Sequence, residues 1–308
     1  MSKRETQPKR VLENKPGKHS DGHPLDGIQY LECKLTLKPD GFTSLKGFHE
    51  CGAFVRRAAD ELDIGFSAKG ASPKPQLREV EFLDTKNFKL YSNSFILRRR
   101  VPFKNAFPSG DPEIVFKFRN PDRQKVADMD VRPKMAAGYR IKFKAEMLPL
   151  KDKLGGYRLI FSHNAQGNVS ASDEKHRVEG HRMKGANLAG LFPCLQALSK
   201  SDAKITVVNQ TIVEEVLLDL GTLDFGKGVT ADSSVALWRE RGTHAPLVAE
   251  ISFVCKFKGR DEVPKKTLKR ITDFFVLLQK NGGDRILLGT TKTAVVYRGL
   301  GNAPHPHE

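Results

Sequence analysis

Four segments of this chain alternate apolar residues with charged ones, and most of those charges are basic. In Ile28–Leu37, Tyr30, Glu32, Lys34 and Thr36 alternate with Leu31, Cys33, Leu35 and Leu37. In Ser94–Val101, Arg98 and Arg100 share a face. In Ile114–Arg119, Val115, Lys117 and Arg119 face one way and Phe116 and Phe118 the other, and Tyr139–Lys144 repeats the scheme. A period of two makes a strand with two unlike faces. One such strand is the solvated face of an ordinary sheet. Several of them, with Phe116, Phe118, Ile141, Phe143, Ile251 and Phe253 on the apolar side, ask for an arrangement that buries that side and gathers the charges. A sheet closed into a barrel does this, with helices covering the outside and charged side chains in the lumen. The expected fold class is therefore α+β, a closed and mostly antiparallel β-barrel with helices packed outside.

The rest of the chain fits that plan. Residues 1–26 are polar, basic and interrupted by Pro8, Pro16 and Pro24, and read as a disordered arm. Residues 27–300 read as one domain and 301–308 as a flexible tail. After Asp40-Gly41, Thr43 or Ser44 can cap a helix with the apolar stripe Leu45, Phe48, Phe54, Val55, Ala58 and Leu62. Further strands are expected at Glu79–Leu83, Tyr157–Ser162, Ile205–Val208, Ile212–Leu220, Ser234–Arg241 and Leu247–Phe257. Residues 163–185 read as a long surface loop and Leu188–Leu198 as holding a short helix. Pro264 opens the clearest helix, which Asn281-Gly282-Gly283 ends. The piece Thr293–Tyr297 could be strand or helix.

Lys and Arg number 52 against 36 Asp and Glu, a net charge of +16. A field of that sign attracts phosphorylated small molecules, nucleic acid or acidic lipid surfaces without choosing among them. The cysteines Cys33, Cys51, Cys194 and Cys255 have neither metal-site nor redox spacing and read as reduced thiols. With no Cys-x-x-Cys pair, and His-x-x-x-His spacing only at His19 and His23 in the polar arm, zinc chemistry is not expected. The Pro-His-Pro-His run at 304–307 reads as a frayed tail. No apolar run is long enough to span a membrane and none follows the basic start as in a secretory signal, so a cytoplasmic protein is expected.

The alternating segments resemble, in order and spacing, the CYTH family, the triphosphate tunnel metalloenzymes. The family's first strand reads Glu-x-Glu-x-Lys, and here Tyr30-x-Glu32-x-Lys34 stands there. Its Tyr-x-Asp-Thr segment leading to Leu-Arg-x-Arg is similar to Phe82-Leu-Asp-Thr85 leading to Leu97-Arg98-Arg99-Arg100. Its Leu-Thr-Leu-Lys strand is similar to Ile114–Lys117, and its Arg-x-Glu-x-Glu strand falls on Arg140-Ile-Lys142-Phe-Lys144. The run Val216–Gly221 with Asp219, and Glu250-Ile-Ser252-Phe-Val254 through Gly259, are similar to the closing segments. The resemblance spans about 28–298.

It implies a tunnel that binds inorganic triphosphate or an organic phosphate with a triphosphate tail. Lys34, Arg98, Arg100, Lys117, Arg119, Arg140 and Lys142 would hold phosphates. Glu32, Lys34 and Glu250 would serve catalysis, and Glu32, Asp219 and Glu250 would hold Mg²⁺ or Mn²⁺, hard cations that want oxygen ligands. The chain departs from the pattern mainly at acidic positions. Tyr30, Lys142, Lys144, Ser252 and Val254 stand where carboxylates are expected. Fewer inward carboxylates weaken a divalent cation, while added lysines bind the anion directly. The implied function is triphosphate binding with, at most, weak metal-dependent hydrolysis. The runner-up is an inactive sensor or scaffold for a polyanion, polyphosphate or nucleic acid. Nucleic acid suits the net charge, but no basic base-reading helix and no aromatic stacking platform is evident. A P-loop is absent. Trp238 reads as a packing residue, though its neighbours Arg239 and Arg241 could point inward instead, since a slip of one residue reverses the faces.

Overall fold

Each alternating segment is a strand, and nine strands hydrogen-bond in a closed ring. The computed structural model describes residues 27–134, 138–168, 182–196, 203–257 and 263–299. In chain order the elements begin with β1 (Tyr30–Leu37), α1 (Leu45–Glu61), β2 (Gly65–Ser67), β3 (Gln76–Thr85), α2 (Lys89–Ser92), β4 (Phe95–Lys104), β5 (Phe107–Pro108), β6 (Glu113–Asn120) and α3 (Arg123–Ala127). They continue with β7 (Tyr139–Pro149), β8 (Tyr157–Asn168), β9 (Arg182–Lys184), α4 (Gly185–Leu191), β10 (Lys204–Asp224), β11 (Thr230–Glu240), β12 (Pro246–Lys256), α5 (Lys265–Gly282) and α6 (Lys292–Arg298). The ring runs β11-β12-β1-β7-β8-β6-β4-β3-β10, and β10 pairs back onto β11. Only the β1–β7 pair in it is parallel. This is the α+β closed barrel that the alternation calls for.

The apolar faces point outward under the helices. Leu31, Cys33 and Leu35 of β1, Phe116 and Phe118 of β6, and Ile251, Phe253 and Cys255 of β12 are buried in one continuous core. Helix α1 adds Phe48, Phe54, Val55, Ala58 and Ala59, and α5 adds Ile271, Phe274, Phe275 and Leu278. Phe253 is a centre of this layer, with ring centroids 5.3 Å from Phe274, 5.9 Å from Phe225 and 6.3 Å from Phe275.

A second apolar cluster seals one end of the lumen. Val80, Phe82, Ile96, Val213, Trp238 and Val248, from five barrel strands, pack with Val296 and Tyr297 of α6. Tyr297 stacks on Tyr91 at 3.9 Å and its hydroxyl donates to Asp84 Oδ2 at 3.3 Å. The Asp84 carboxylate also accepts from the backbone N–H groups of Thr85, Leu90 and Tyr91, which fixes the turn between β3 and α2. The Asn209 amide donates to the carbonyls of Val296 and Tyr297, both at 2.9 Å. Helix α6 thus lies across one end, and the lumen is a cup whose rim is at the other.

Several boundaries differ from expectation. The two strands expected at Ile205–Val208 and Ile212–Leu220 are one 21-residue strand, β10, whose pairing with β3 is interrupted between Val207 and Ile212. There Asn209 and Gln210 take positive φ, so the chain kinks without leaving the sheet. Residues 163–168, expected in a loop, continue β8, and 169–181 lie outside the described residues. The expected Leu188–Leu198 helix is α4 followed by a 3₁₀ turn at Pro193–Leu195 that opens on the proline. Helix α3 was not evident beforehand; the Asp122 carboxylate caps it by accepting from the N–H groups of Gln124 and Lys125. Ser44 is the N-cap of α1 but makes no side-chain capping bond. Thr293–Tyr297 is helical, within α6. All four cysteines are free, Cys33 and Cys255 fully buried. No described helix is long and apolar enough to cross a membrane. The arm 1–26, the tail 301–308 with its histidines, and Gly259 lie outside the described residues.

Because Phe253 packs against three other rings, Phe253→Ala should cost about 3–5 kcal/mol of unfolding free energy. Urea denaturation measures this, and a loss under about 1 kcal/mol would place the residue outside a tightly packed layer.

Candidate anion site in the barrel lumen

The strand faces opposite the apolar core converge on a cavity of about 320 Å³. Strand β1 supplies Glu32 and Lys34, β3 Arg78, β4 Arg98 and Arg100, and β6 Lys117 and Arg119. Strand β7 supplies Lys142 and Lys144, β10 Glu215, β12 Glu250, and α6 contributes Lys292 from the closed end. Nine cations and three carboxylates therefore line the wall, an excess of six positive charges. A fourth carboxylate, Glu146 of β7, lies beneath it with no exposed surface.

Each acidic group organises cations around itself. Glu146 Oε1 accepts from Lys117 Nζ and Ser162 Oγ, both at 2.7 Å. Its Oε2 accepts from Lys34 Nζ at 2.9 Å, with Arg119 at 3.5 Å. Glu32 Oε2 is 3.1 Å from Lys144 Nζ and 3.3 Å from Lys34 Nζ. Glu215 is bonded to Arg78 through Oε2, while its Oε1 accepts from Trp238 Nε1 at 2.7 Å and lies 3.3 Å from Lys292 Nζ. Glu250 Oε1 is 3.0 Å from the same Lys292 nitrogen. Near the rim, Arg100 donates to Glu113 at 3.1 Å and Lys142 to Gln166 at 3.0 Å.

Arg98 stands apart. It reaches no carboxylate among the described residues, its Nε is buried without a hydrogen-bond partner, and it leans on the Phe82 ring at 5.9 Å. Burial and the neighbouring Arg100 both press against its charged form; a guanidinium nonetheless stays protonated. Burial alone would raise Glu146 and Glu215, but Lys117, Lys34 and Arg119 around the first, and Lys292 and Arg78 around the second, hold both well below the usual carboxylate range. Three cations compete for Glu146, and they do not share it equally. Lys34, which also touches Glu32, is raised in spite of its burial. Lys117 is pulled down to about 7, by burial first and then by Lys34 and Arg119, against the pull of Glu146.

The residues singled out from the sequence divide as follows. Glu32, Lys34, Arg98, Arg100, Lys117, Arg119, Lys142 and Glu250 share the cavity. Arg140 lies on the same face of β7 as Lys142 but is exposed toward the rim and outside the lining. Asp219 continues the face of Glu215 and Leu217, opposite Ser234, but lies outside the cavity lining; it accepts from Gln76 Nε2 at 3.1 Å and lines a separate groove beside α1. Tyr30 sits under Lys142 and Lys144, whose ammonium nitrogens are each 5.6 Å from its ring centroid. In β11 the register puts Trp238 against the lumen, with Arg239 outside on Glu214 and Arg241 outside on Glu79.

The acidic census from sequence was too low. Glu146 belongs to the same face as Lys142 and Lys144, two residues further on, and was missed because that strand was ended at Lys144. Glu215 lies inside the expected Ile212–Leu220 strand, four residues before Asp219 and on the same face. Alternation carried through to Pro149 and counted back from Leu217 would have found both. Lys292 had no strand periodicity to reveal it. More carboxylates do not make a metal site, however: among the described residues no three His, Cys, Asp or Glu side chains are grouped to hold an ion. The inward carboxylates are already engaged by lysines and arginines, so the donor set does not fit the Mg²⁺ or Mn²⁺ that the family resemblance implies.

No family model matches the chain, and no curated protein is recognisably similar in sequence. Among solved structures it is similar to a Hippeastrum protein described as a candidate adenylyl cyclase with a dominant triphosphatase activity, at 14% identity and a TM-score of 0.40, covering 91% of this chain and 100% of that one. It is also similar to a Pyrococcus horikoshii protein at 12% and 0.37, covering 88% of this chain and 99% of that one. A candidate adenylate cyclase from Bacillus halodurans follows at 14% and 0.35, covering 82% and 91%. Likenesses this distant assign the chain neither a family nor an activity.

Lys117 makes a pH signature. Below about pH 7 it carries its proton in both folded and unfolded states, and the full cost of burying that charge is present. Between about 7 and its ordinary value of 10.5 the unfolded chain holds the proton and the folded chain releases it, so stability rises with pH. Lys142, depressed by burial and by Lys144, acts in the same direction. Unfolding free energies measured from pH 6 to 9 at constant ionic strength should climb more steeply for the native protein than for Lys117→Met, by at most about 1.4 kcal/mol per pH unit. Equal slopes would show that Lys117 is not depressed.

Proposed function

We propose that the lumen binds the phosphate chain of inorganic triphosphate, or of an organic phosphate with a triphosphate tail. The observation that carries this reading is the convergence of nine cations on one cup, with Arg98 facing it unpaired among the described residues. A cavity of about 320 Å³ is at the small end of ligand pockets. With α6 across the far end, a linear polyanion enters from the rim by one terminus. Exposed Arg140 stands there to meet it, and Arg100, Lys142, Lys117 and Lys34 succeed one another inward. Arg offers a planar fork to phosphate oxygens and Lys a point charge.

The same geometry favours binding without efficient turnover. Water attack on a phosphoanhydride needs charge neutralised at the transferring group and a positioned nucleophile. Glu32, Glu146, Glu215 and Glu250 are committed to internal cations, so none is free to hold a metal or to orient water. This is the sensor or scaffold reading, with a phosphate chain as the ligand. Duplex nucleic acid is too wide for the cup and would have to use the outer surface.

Thermal denaturation with inorganic triphosphate tests the proposal, because a ligand selective for the folded state raises the melting temperature. Triphosphate should stabilise the protein and RNA should not. Arg98→Ala should weaken binding at least tenfold, as loss of a charge-assisted contact of about 1.5–3 kcal/mol requires. Removing residues 1–26 should change nothing. If that deletion abolishes the shift and Arg98→Ala does not, the anion site is the arm. Phosphate release from triphosphate with Mg²⁺ or Mn²⁺ should stay below about 1 per second. Faster turnover would mean that the lumen carboxylates exchange their lysines for metal.

A further inference from the structure

Among the described residues, Lys292 is the one lumen cation that comes from a helix rather than a barrel strand. Its Nζ lies between two carboxylates from different strands, 3.3 Å from Glu215 Oε1 on β10 and 3.0 Å from Glu250 Oε1 on β12. Its ammonium also stands 4.8 Å from the centroid of the Trp238 ring, on β11 between them. An ammonium has three donors. Two are spent on the carboxylates, and the side chain lines the cavity, so the third is available to a ligand oxygen. A group that links two acidic side chains on the strands flanking β11 and offers one more contact to an anion does what a bridging divalent cation does.

The surroundings make this occupant hard to displace. Glu215 accepts from Trp238 and Arg78 as well, so its oxygens face N–H donors on every described side. An ion entering there would have to shed water, which Mg²⁺ does reluctantly. It would also have to evict an ammonium bonded to two carboxylates, in a wall that carries six excess positive charges. Lys144 pairs with a single carboxylate, Glu32, at 3.1 Å and is backed by Tyr30 at 5.6 Å, so it neutralises that acid without bridging.

We propose that Lys292 is a tethered replacement for a divalent metal, so that the lumen binds phosphate chains without Mg²⁺ or Mn²⁺. The chain carries its own bridging cation, which α6 delivers while it closes the cup. This deepens the reading of the lumen as an anion site and rests on it, but the metal measurement below stands apart from that reading.

The test pairs two titrations on the full chain. In the first, Mn²⁺ binding is followed by electron paramagnetic resonance without any phosphate. The native protein should take up no stoichiometric Mn²⁺, whereas Lys292→Met, which leaves Glu215 and Glu250 facing each other without their ammonium, should bind one ion. In the second, inorganic triphosphate is titrated calorimetrically in EDTA. The native protein should bind it as well as in Mg²⁺ or better, Lys292→Met should bind about tenfold more weakly as one charge-assisted contact is lost, and Lys292→Arg should keep most of the affinity. Stoichiometric Mn²⁺ on the native protein, or triphosphate binding that disappears in EDTA, overturns the proposal. So does a folded Lys292→Met that neither gains Mn²⁺ nor loses triphosphate. If that variant does not fold, the native titrations decide. Failure of triphosphate to bind under any condition refutes the anion site, and the Mn²⁺ arm still reports on the lysine.

Discussion

Glu146 is a carboxylate with no exposed surface, held inside a ring of strands that otherwise turn mostly cations inward. Lys34, Lys117 and Arg119 all meet on it, and the Ser162 hydroxyl completes its contacts. Without that charge, three cations from two strands would face one another in a low-dielectric space, and burying ions unpaired costs several kcal/mol each. With it, β1, β6, β7 and β8 are tied together across the floor of the lumen. Replacing a buried ion pair by apolar groups is often neutral or stabilising, so this network is poorly explained as a device for stability. It is better explained as the foundation of a surface that must present positive charge.

The barrel separates the two jobs. Stability comes from the outside, where the apolar strand faces meet α1 and α5 in a continuous aromatic and aliphatic layer. The inside is left to carry charge, and its four carboxylates are distributed so that lumen lysines and arginines are held in place rather than neutralised. Holding side chains in advance lowers the entropy lost on binding. Arg98, which no carboxylate holds among the described residues, is positioned by strand geometry and the Phe82 ring instead. Helix α6 links both jobs. Its Val296 and Tyr297 seal the apolar end and its Lys292 joins the charged wall.

Much of this was legible in the sequence because period two is a local signal. Residues 115, 117 and 119 announce their common face whatever they pair with, and so do 32 and 34, or 98 and 100. What depends on register or on distant chain was not legible. Trp238 faces the lumen and Arg239 and Arg241 do not, which only the pairing of β11 with β10 and β12 decides. Asp219 does share the inward face, but its place beyond the cavity lining depends on depth along the barrel, which alternation does not give. Residues 209–210 look like a break between strands, yet the flanking segments belong to one strand. Lys292 could not be assigned at all, since its place is set by where a C-terminal helix packs, 42 positions after its partner Glu250. Glu146 and Glu215 are a different case. The pattern reaches both, Glu146 two residues past Lys144 in β7 and Glu215 four residues before Asp219 in β10.

If a phosphate chain occupies the cup against Arg98, Arg100, Lys117 and Lys292, a crystal structure of the protein grown with inorganic triphosphate and EDTA should show it. Density for linked phosphates is expected inside the barrel, with the terminal group toward the closed end and Arg98 turned onto a phosphate oxygen. Triphosphate bound on the outer surface with the lumen empty, or a lumen in which the lysines and arginines are paired with one another's carboxylates and leave no room for the anion, would contradict it.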